Sequence, residues 1–293
     1  MNLRDLHYLV AVAELRSFVQ AAERCFISQP TLSMQIKKLE ESLGVQIFER
    51  SNKKVLPTEV GQQIIISAKR ILQEAETIKQ MAASAQDPLA GNLRLGAFPT
   101  LSTYLFPALV TAIKETLPRM RLILVEEKTD ILIQQLKNGS LDAALLALPI
   151  NEELLESVEL FDDEFLLAVQ SDHSLTAKSQ VEASDLFGQQ LLLLDEGHCL
   201  RGQALQVCQI MGAEEQQDVR ATGLETLRQM VYAGTGITFM PSIAVRKADK
   251  GICYIPFVTP APQRTIGLVW RKTTARKALM AKLTQLVQQV AKS

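Results

Sequence analysis

Two cysteines in the second half of the sequence, Cys199 and Cys208, have the residue type and the surroundings that thiol chemistry requires. They lie in the run Gly197-His-Cys-Leu-Arg-Gly-Gln-Ala-Leu-Gln-Val-Cys208. Gly197 ends a predicted strand and loop, so we expect Cys199 near a helix N-terminus, with His198 beside it and Arg201 one turn away. Helix N-termini and nearby cations lower the pKa of a thiol, and the thiolate is the reactive form. Cys208 has apolar neighbours and should be sheltered from solvent.

Three interpretations of this segment are open. Both cysteines could be small core residues, which is the commonest role of a cytosolic cysteine. His198 and the two thiols could bind zinc, although the spacing matches no short-range zinc motif and no fourth ligand is evident. The pair could instead be a thiol switch, with an exposed attacking thiol and a sheltered resolving one. The surroundings of Cys199 favour the switch, so we expect no metal and no cofactor.

A disulfide between Cys199 and Cys208 would require the intervening segment to change conformation. If 199–208 is largely helical, the two Cα atoms lie about 13 Å apart. A disulfide joins Cα atoms that are about 4.4–6.8 Å apart. The helix would therefore have to unravel, and Gly202 in its middle lowers the cost of doing so. Oxidation would then be a local refolding event, able to repack a contact between subunits.

Composition and length indicate the class of protein that carries this segment. The chain has 293 residues, enough for two or three domains, and 47% of them are hydrophobic. No signal peptide is evident at the N-terminus, and the apolar stretch at 143–148 is far shorter than the ~20 residues of a membrane span. We therefore expect a cytoplasmic protein without a membrane partner. Four cysteines are too few for a disulfide framework, so a bridge in the cytosol should be transient.

Helical periodicity and capping residues predict a helix-turn-helix in residues 1–58, which carry a net charge of +2 within a chain of net charge −1. Ser17 and Ser28 can cap the second and third helices, and Gly44 can end the third. Two short apolar runs around a basic turn at 45–57 predict a hairpin, the wing. Cys25 falls in the turn between the helices, and we interpret it as a small buried hydrophobe.

The exposed face of the third helix has side chains suited to DNA. Residues near its N-terminal end can bond base edges in the major groove, and basic residues further on can bind phosphates. A solvated helix surface would show the same polar pattern, but the neighbouring wing favours DNA. The candidate base-contacting residues are Gln29, Pro30, Thr31, Ser33 and Gln35. The candidate phosphate-binding residues are Lys37, Lys38, Arg50, Lys53 and Lys54.

A long helix capped by Thr58 should run to about Ala85 and carry one continuous apolar stripe. Its alternating spacing of three and four residues is that of a coiled-coil seam, which predicts pairing with a second copy of the chain. A hinge follows at 87–91. The stripe comprises Val60, Ile64, Ala68, Ile71, Ala75, Ile78 and Ala82.

From residue 92 onwards strands and helices alternate, which predicts an α/β domain with a largely parallel sheet and a ligand site at the carboxyl ends of strands. A last helix should cover 277–291. The candidate strands are Leu93–Phe98, Leu122–Glu126, Ala143–Leu148, Glu164–Val169, Gln190–Leu194, Ile237–Met240, Cys253–Phe257 and Thr265–Trp270.

Residues 3–50 resemble the LysR-type transcriptional regulators. The matching strings are Ser17-Phe-Val-Gln-Ala-Ala22, Ser28-Gln-Pro-Thr-Leu-Ser33, Leu39-Glu40, Leu43-Gly44, Phe48-Glu-Arg50 and Thr58. The resemblance implies a winged helix-turn-helix, a dimerising linker helix and a two-lobed α/β effector domain of periplasmic-binding-protein type. The implied divisions are a DNA-binding domain at 1–58, a linker at 59–90 and a regulatory domain at 91–293. Its lobe I would span about 91–162 and 266–293, and its lobe II about 163–265.

Strings in the second half resemble the peroxide-sensing members of that family, among them Gly197-His-Cys-Leu-Arg201, Leu224-Glu-Thr-Leu-Arg228 and Arg264-Thr-Ile-Gly-Leu-Val269. The resemblance implies that hydrogen peroxide oxidises Cys199, that Cys208 is its disulfide partner, and that oxidation changes the regulation of oxidative-stress genes. Thr100, Thr129 and His198 would line the peroxide pocket, supported by Arg264. Helix capping is the alternative role of both threonines.

The same resemblance implies partners, and the sequence also departs from the family pattern. The implied partners are double-stranded promoter DNA, RNA polymerase, further copies in a homodimer or homotetramer, and a thiol–disulfide reductant such as a glutaredoxin. Gly202 replaces a usual acidic residue and Gly223 a usual serine, which puts the sensitivity to peroxide in doubt. Two other functions compete, a LysR-type regulator with a small-molecule ligand and inert cysteines, and an enzymatic thiol peroxidase. The DNA-binding half argues against an enzyme.

Overall fold

The computed structural model describes residues 1–51, 54–87, 89–195, 214–221, 223–246 and 249–292. Four predicted site residues, Lys53, His198, Cys199 and Cys208, lie outside these ranges, and so does the alternative zinc site. Of Arg50 and Lys54 only the backbone is described. The chain divides into an N-terminal unit, 1–85, and a C-terminal unit, 86–293.

Three helices, a two-stranded wing and a long helix make up the N-terminal unit, as the sequence predicts. The side chains of Ser17 and Ser28 accept backbone hydrogen bonds at the starts of the second and third helices, and Gly44 ends the third in a left-handed conformation. The elements are α1 Leu3–Leu15, α2 Phe18–Arg24, α3 Gln29–Leu43, β1 Phe48–Ser51, β2 Lys54–Pro57 and α4 Glu59–Gln86.

Two polar side chains fix the wing against α3 and α4. The Glu40 carboxylate on α3 accepts hydrogen bonds from the backbone N–H groups of Ile47 and Phe48, at 2.9 and 3.1 Å. The Thr58 hydroxyl donates to the Gln46 carbonyl at 2.8 Å and accepts from the Gly61 N–H at 2.9 Å, which caps α4. The start of the long helix is thus bonded to the strand that leads into the wing.

The apolar stripe predicted for α4 does not lie on a single exposed seam. Ala68 is buried in the core of the N-terminal unit together with Ile65, whereas Ile71 and Ile78 are exposed. A helix that packs on its own domain must turn part of its apolar surface inwards, so the first turns serve the domain. Val60 at the start of the stripe, and Ile71 and Ile78 in its later part, remain exposed and available to a partner.

The C-terminal unit begins with alternating strands and helices. Its elements are β3 Gly91–Ala97, α5 Pro99–Thr116, β4 Met120–Glu126, α6 Thr129–Lys137, β5 Ala143–Ala147, β6 Leu155–Gln170, β7 Gln190–Leu194, β8 Glu214–Ala221, α7 Leu224–Tyr232, β9 Thr238–Pro241, β10 Ile252–Pro256, β11 Gln263–Arg271 and α8 Lys277–Ala291. Short 3₁₀ turns cover Ser174–Ala177, Ala183–Leu186 and Ser242–Ala244. No described helix is both long and apolar enough to span a bilayer.

The prediction of a largely parallel sheet is wrong. In the strand order β10-β6-β11-β5-β3-β4, only β3 pairs in parallel, with β4 and with β5. β11 runs antiparallel to both of its neighbours, β5 and β6, and β6 runs antiparallel to β9 and β10. Helical crossovers make strands parallel, and they join β3, β4 and β5. β11 returns from the far end of the unit without such a crossover, which strand–helix alternation does not reveal.

Two hydrophobic cores divide the C-terminal unit. One is built from residues within 93–160 and 266–287, the other from residues within 165–257. The 16-residue strand β6 contributes Leu155 and Leu160 to the first core and Phe165 and Leu167 to the second. The two lobes therefore share one continuous strand.

Gly61 is required by the close packing of α4 on the wing. A Cβ atom at this position would lie 2.1 Å from the Ile47 carbonyl oxygen and 2.9 Å from the Thr58 hydroxyl. We expect Gly61→Ala to lower the free energy of unfolding of the N-terminal unit by about 1–3 kcal/mol, because overpacking outweighs the gain in helix propensity. Thermal unfolding measures the change. Ser67→Ala, at an exposed position of the same helix, controls for propensity, and a Gly61→Ala chain as stable as the parent would contradict this close approach.

Candidate functional site

The carboxyl ends of β3 and β4 bring the first turns of α5 and α6 to one edge of the sheet. The strands are parallel neighbours, with Ala97 opposite Glu126. The N-cap residues of the two helices are Phe98 and Lys128, and neither makes a side-chain cap. Backbone N–H groups at helix N-termini point outward and favour negative charge. An anion or a polarised oxygen placed at this edge would therefore be stabilised.

Thr100 and Thr129 lie in the first turns of these two helices and cap neither of them. The helix-capping interpretation of both residues is therefore wrong. The Thr129 hydroxyl oxygen is buried and has no hydrogen-bond partner among the described residues. A buried polar atom without a partner is costly, so this hydroxyl has capacity for a polar ligand or for a residue beyond the described ranges.

Arg264 on β11 holds the Thr100 hydroxyl in place. The guanidinium donates to the Thr100 Oγ1 at 2.9 Å and to the Thr100 carbonyl oxygen at 3.1 Å. Both residues are buried. Because an arginine can only donate, the threonine oxygen is the acceptor and its own proton remains to be donated. None of the hydrogen bonds between described residues uses that proton.

Asp163 compensates the buried charge of Arg264. Its Oδ2 accepts from the Arg264 Nε and Nη2 at 3.0 and 2.8 Å, and both side chains are fully buried. Its Oδ1 accepts from the Ser242 hydroxyl at 2.8 Å and from the Ile243 N–H at 3.1 Å. The Phe98 ring packs against the guanidinium, with its centroid 5.1 Å away. Both oxygens of this carboxylate accept hydrogen bonds, which is the condition under which a buried ion pair is tolerated.

Sequence reasoning missed Asp163. The predicted strand began at residue 164, whereas β6 begins at Leu155 and carries this aspartate at an inward position. The available signal was a carboxylate flanked by apolar alternation, in the run Phe161-Asp-Asp-Glu-Phe165. Its neighbour Asp162 is exposed, and spacing alone does not say which of the two is buried.

A second buried arginine, Arg228 on α7, lies in the other lobe. Its guanidinium donates to Asp249 and to the Tyr254 hydroxyl, while Tyr104 on α5 donates to Glu225 on α7 at 2.8 Å. Burial and the bond to Glu225 raise the pKa of Tyr104 to about 12, so its hydroxyl stays protonated and donating. This cluster joins α5 of the first lobe to α7 of the second.

The segment that holds Cys199 and Cys208 lies between β7 and β8 in the chain. The described residues stop at Asp195, just after β7, and resume at Glu214, where β8 begins and pairs in parallel with β7.

At Gly223, the N-cap of α7, an added Cβ would meet nothing within 4 Å. Space therefore does not demand glycine there, and serine would fit.

Of the other cysteines, Cys25 and Cys253 are both unpaired and half-buried. Cys25 is therefore less buried than the sequence predicts. Burial nonetheless raises the pKa of its thiol, against the opposing effect of Arg24. A raised thiol pKa lowers the fraction of reactive thiolate, which argues against a sensing role for Cys25.

The predicted DNA-contacting residues of α3 follow its exposed face. Gln29, Pro30 and Thr31 are exposed in the first turn, and Ser33 and Gln35 are partly buried. The Thr31 hydroxyl shares a 2.7 Å hydrogen bond with the Ser28 hydroxyl. Lys37 and Lys38 are exposed, and Lys37 forms only a solvent-exposed 3.8 Å pair with Glu41. Such pairs are weak, so the lysine can exchange Glu41 for a phosphate.

Both parts of the chain match families of bacterial regulators. Residues 3–62 match the bacterial regulatory helix-turn-helix protein, lysR family, and residues 86–292 match the LysR substrate binding domain. The DNA-binding transcriptional dual regulator OxyR of Escherichia coli K12 is 44% identical over 98% of this chain and 95% of its own length. A hydrogen peroxide-inducible genes activator of Haemophilus influenzae is 44% identical over 92% of this chain and 91% of its own.

Solved structures agree with these matches. Full-length OxyR C199D from Pseudomonas aeruginosa has a TM-score of 0.81 and 38% identity, covering 98% of this chain and 95% of its own. An oxidised form of OxyR has a TM-score of 0.64 and 40% identity, covering 71% of this chain and 99% of its own. The predicted fold class, a winged helix-turn-helix with a two-lobed α/β effector domain, is confirmed.

Asp163 should be essential to the stability of the C-terminal unit. We expect Asp163→Asn to lower its free energy of unfolding by about 3–5 kcal/mol, because the Arg264 charge is then buried without compensation. Denaturant unfolding measures the loss. Asp162→Asn, at the exposed neighbour, is the matched control and should change little. The joint variant Asp163→Leu with Arg264→Met should be less destabilised than Asp163→Asn, and the reverse order would show that the pair does not act through its charge.

Proposed function

The chain belongs to the LysR family of bacterial regulators, and from this premise we propose that it controls transcription in response to hydrogen peroxide. Its similarity to OxyR and to hydrogen peroxide-inducible genes activators supports the peroxide part of the proposal. One structural observation carries it, namely two threonine hydroxyls with unused hydrogen-bonding capacity at the ends of adjacent parallel strands. A small molecule with two hydroxyl groups is the ligand that such a site suits.

In the proposed chemistry, the Cys199 thiolate attacks one oxygen of the peroxide. The S–O bond forms as the O–O bond breaks, the sulfur is oxidised to a sulfenic acid, and the departing hydroxide takes a proton to become water. The Thr100 hydroxyl, the Thr129 hydroxyl and His198 hold the peroxide. Arg264 acts through Thr100, whose oxygen it fixes so that the threonine proton points to the ligand.

The Cys208 thiol then attacks the sulfenic sulfur. A disulfide forms, the sulfenic oxygen leaves as water, and the sum is one peroxide reduced to two waters by two thiols. If residues 199–208 form a helix, as the sequence predicts, the segment must unravel before this bridge can close. The protein is a sensor and not an enzyme, because each chain is oxidised once and then waits for a thiol–disulfide reductant such as a glutaredoxin.

The output of the switch is a change in how a homodimer or homotetramer holds promoter DNA in the cytoplasm, where RNA polymerase is the further partner. In this proposal Gln29, Pro30, Thr31, Ser33 and Gln35 read base edges. The phosphate-binding residues are Lys37, Lys38, Arg50, Lys53 and Lys54. Phosphate contacts position the protein without reading sequence, so the specificity lies with the first group.

The cysteine pair is tested by single substitutions in the full chain. Cys199→Ser should bind DNA but no longer respond to peroxide, because a serine hydroxyl is not ionised near neutral pH. Cys208→Ser should reach the sulfenic acid and then over-oxidise, because its resolving thiol is missing. In the parent, one equivalent of peroxide should give a Cys199–Cys208 peptide pair by mass spectrometry, with Cys25 and Cys253 still alkylatable.

Amide exchange separates the chemistry from the proposed refolding. Oxidation should raise exchange across residues 200–207, since the bridge requires the segment to unravel. A bridge without faster exchange would defeat the refolding step alone. An unmodified Cys199 after equimolar peroxide would defeat the whole proposal and favour a LysR-type regulator with a small-molecule ligand.

The later turns of α4 are the proposed dimer contact. Ile71 and Ile78 are 43% and 67% exposed, and Ile71 lines an apolar groove of about 340 Å³ together with Leu43 and Val60 among others. We expect the double variant Ile71→Asp, Ile78→Asp to sediment as a smaller species, because it puts charge into an apolar seam. Ile66→Asp is the matched control, since this isoleucine is 58% exposed but lies off the stripe. A double variant that sediments like the parent would contradict the contact.

A further inference from the structure

Phe26, in the turn between α2 and α3, has a left-handed backbone that caps the C-terminal end of α2, and an exposed ring that stability does not explain. Its side chain is 95% exposed, the largest value among the large apolar residues that the structure describes. Its backbone has a φ of +55°, a left-handed conformation that bulky residues rarely adopt. The conformation is held by hydrogen bonds from the Phe26 N–H to the Glu23 carbonyl and from the Ile27 N–H to the Ala22 carbonyl, both 3.1 Å.

An exposed ring on a left-handed backbone indicates that Phe26 contacts another molecule. An exposed ring gains nothing from burial, and a left-handed phenylalanine is strained where asparagine or glycine would not be. Backbone strain that the surrounding structure maintains is a feature of functional sites. Cys25 and Ile27, on either side of Phe26 in the chain, are half-buried and pack on the core. The turn is therefore anchored on both sides of the exposed ring.

The position of Phe26 identifies its partner. Ser28, two residues later, caps α3, and Gln29 and Pro30 begin that helix with exposed side chains. The N-terminal end of a recognition helix is the part that meets base edges in the major groove. Phe26 therefore lies two residues before the N-cap of the helix whose first turn would meet the bases, within the matched helix-turn-helix, residues 3–62.

We propose that Phe26 contacts DNA and packs on a thymine methyl group next to the bases read by α3. A phenylalanine has no donor or acceptor, so it can bond neither a phosphate nor a polar base edge. The C5-methyl of thymine is the apolar group that the major groove presents. The ring thus adds a preference for thymine to a surface that also exposes the polar side chains of Gln29 and Thr31. The inference rests on the DNA-binding part of the proposed function.

The first test is Phe26→Asn in the full chain, because asparagine tolerates the left-handed conformation. The probe is the duplex that the parent enriches from a random-sequence pool. The variant should unfold at a temperature a few degrees higher, and its affinity for the duplex should fall about fourfold or more, the factor for one buried methylene. The slope of affinity against salt should not change, because no phosphate contact is lost. Phe187→Asn is the matched control, since Phe187 is 76% exposed in the C-terminal unit.

The second test replaces each thymine of the enriched duplex by uracil, which removes only the methyl group. At one position per half-site the parent should lose about fourfold in affinity, and Phe26→Asn should lose nothing further. Parental affinity in Phe26→Asn, or equal uracil effects in both chains, would overturn the inference and leave DNA binding intact. If the parent enriches no duplex at all, the proposed function fails and the inference with it.

Discussion

The buried pair of Arg264 and Asp163 is the interaction on which the C-terminal unit depends. An uncompensated charge in a protein interior is so costly that each member fixes the position of the other. Arg264 lies on β11 and Asp163 on β6, and their remaining hydrogen bonds reach Thr100 on α5 and Ser242 near β9. One ion pair thereby holds four elements in register, and it orients the threonine hydroxyl that we assign to the peroxide site. The position of the Thr100 hydroxyl thus follows from the pairing of the buried Arg264 charge with Asp163.

The N-terminal unit shows which structural features local sequence signals can predict. Serine caps, a terminal glycine and helical periodicity predicted its helices and its wing, because these signals act within a few residues. The long-range features were not accessible in this way. The local pattern neither gives the antiparallel pairing of β11 nor decides which of Asp162 and Asp163 is buried, since both features depend on residues about a hundred positions away. The capping interpretation of Thr100 was wrong for the same reason, because Arg264 determines what Thr100 does. The roles of Cys199, Cys208 and His198 remain predictions, as they lie outside the described residues.

Within the N-terminal unit, polar contacts connect α1 to α2 and to the linker helix α4. The Glu14 carboxylate bonds Arg24 at the end of α2 and Lys69 on α4, at 2.7 and 3.1 Å. Burial raises the pKa of Glu14, but the hydrogen bonds from Arg24 and Lys69 outweigh it and lower the pKa below its usual value. Together with Glu40 and Thr58, these contacts tie the helix-turn-helix and the first turns of α4 into one body. A rotation of the linker helix in a dimer would therefore carry α3 with it.

The discontinuous first lobe has a consequence for how the chain is made. Its core needs residues 266–287, so it stays incomplete until these residues have emerged from the ribosome. Until then β5 presents an open edge where β11 belongs, and Asp163 has no arginine. The N-terminal core, in contrast, lies within residues 6–72 and is synthesised first. Each nascent chain thus passes through a period in which its DNA-binding residues are complete and its sensor is not, and the exposed strand edge makes that period the one most open to aggregation.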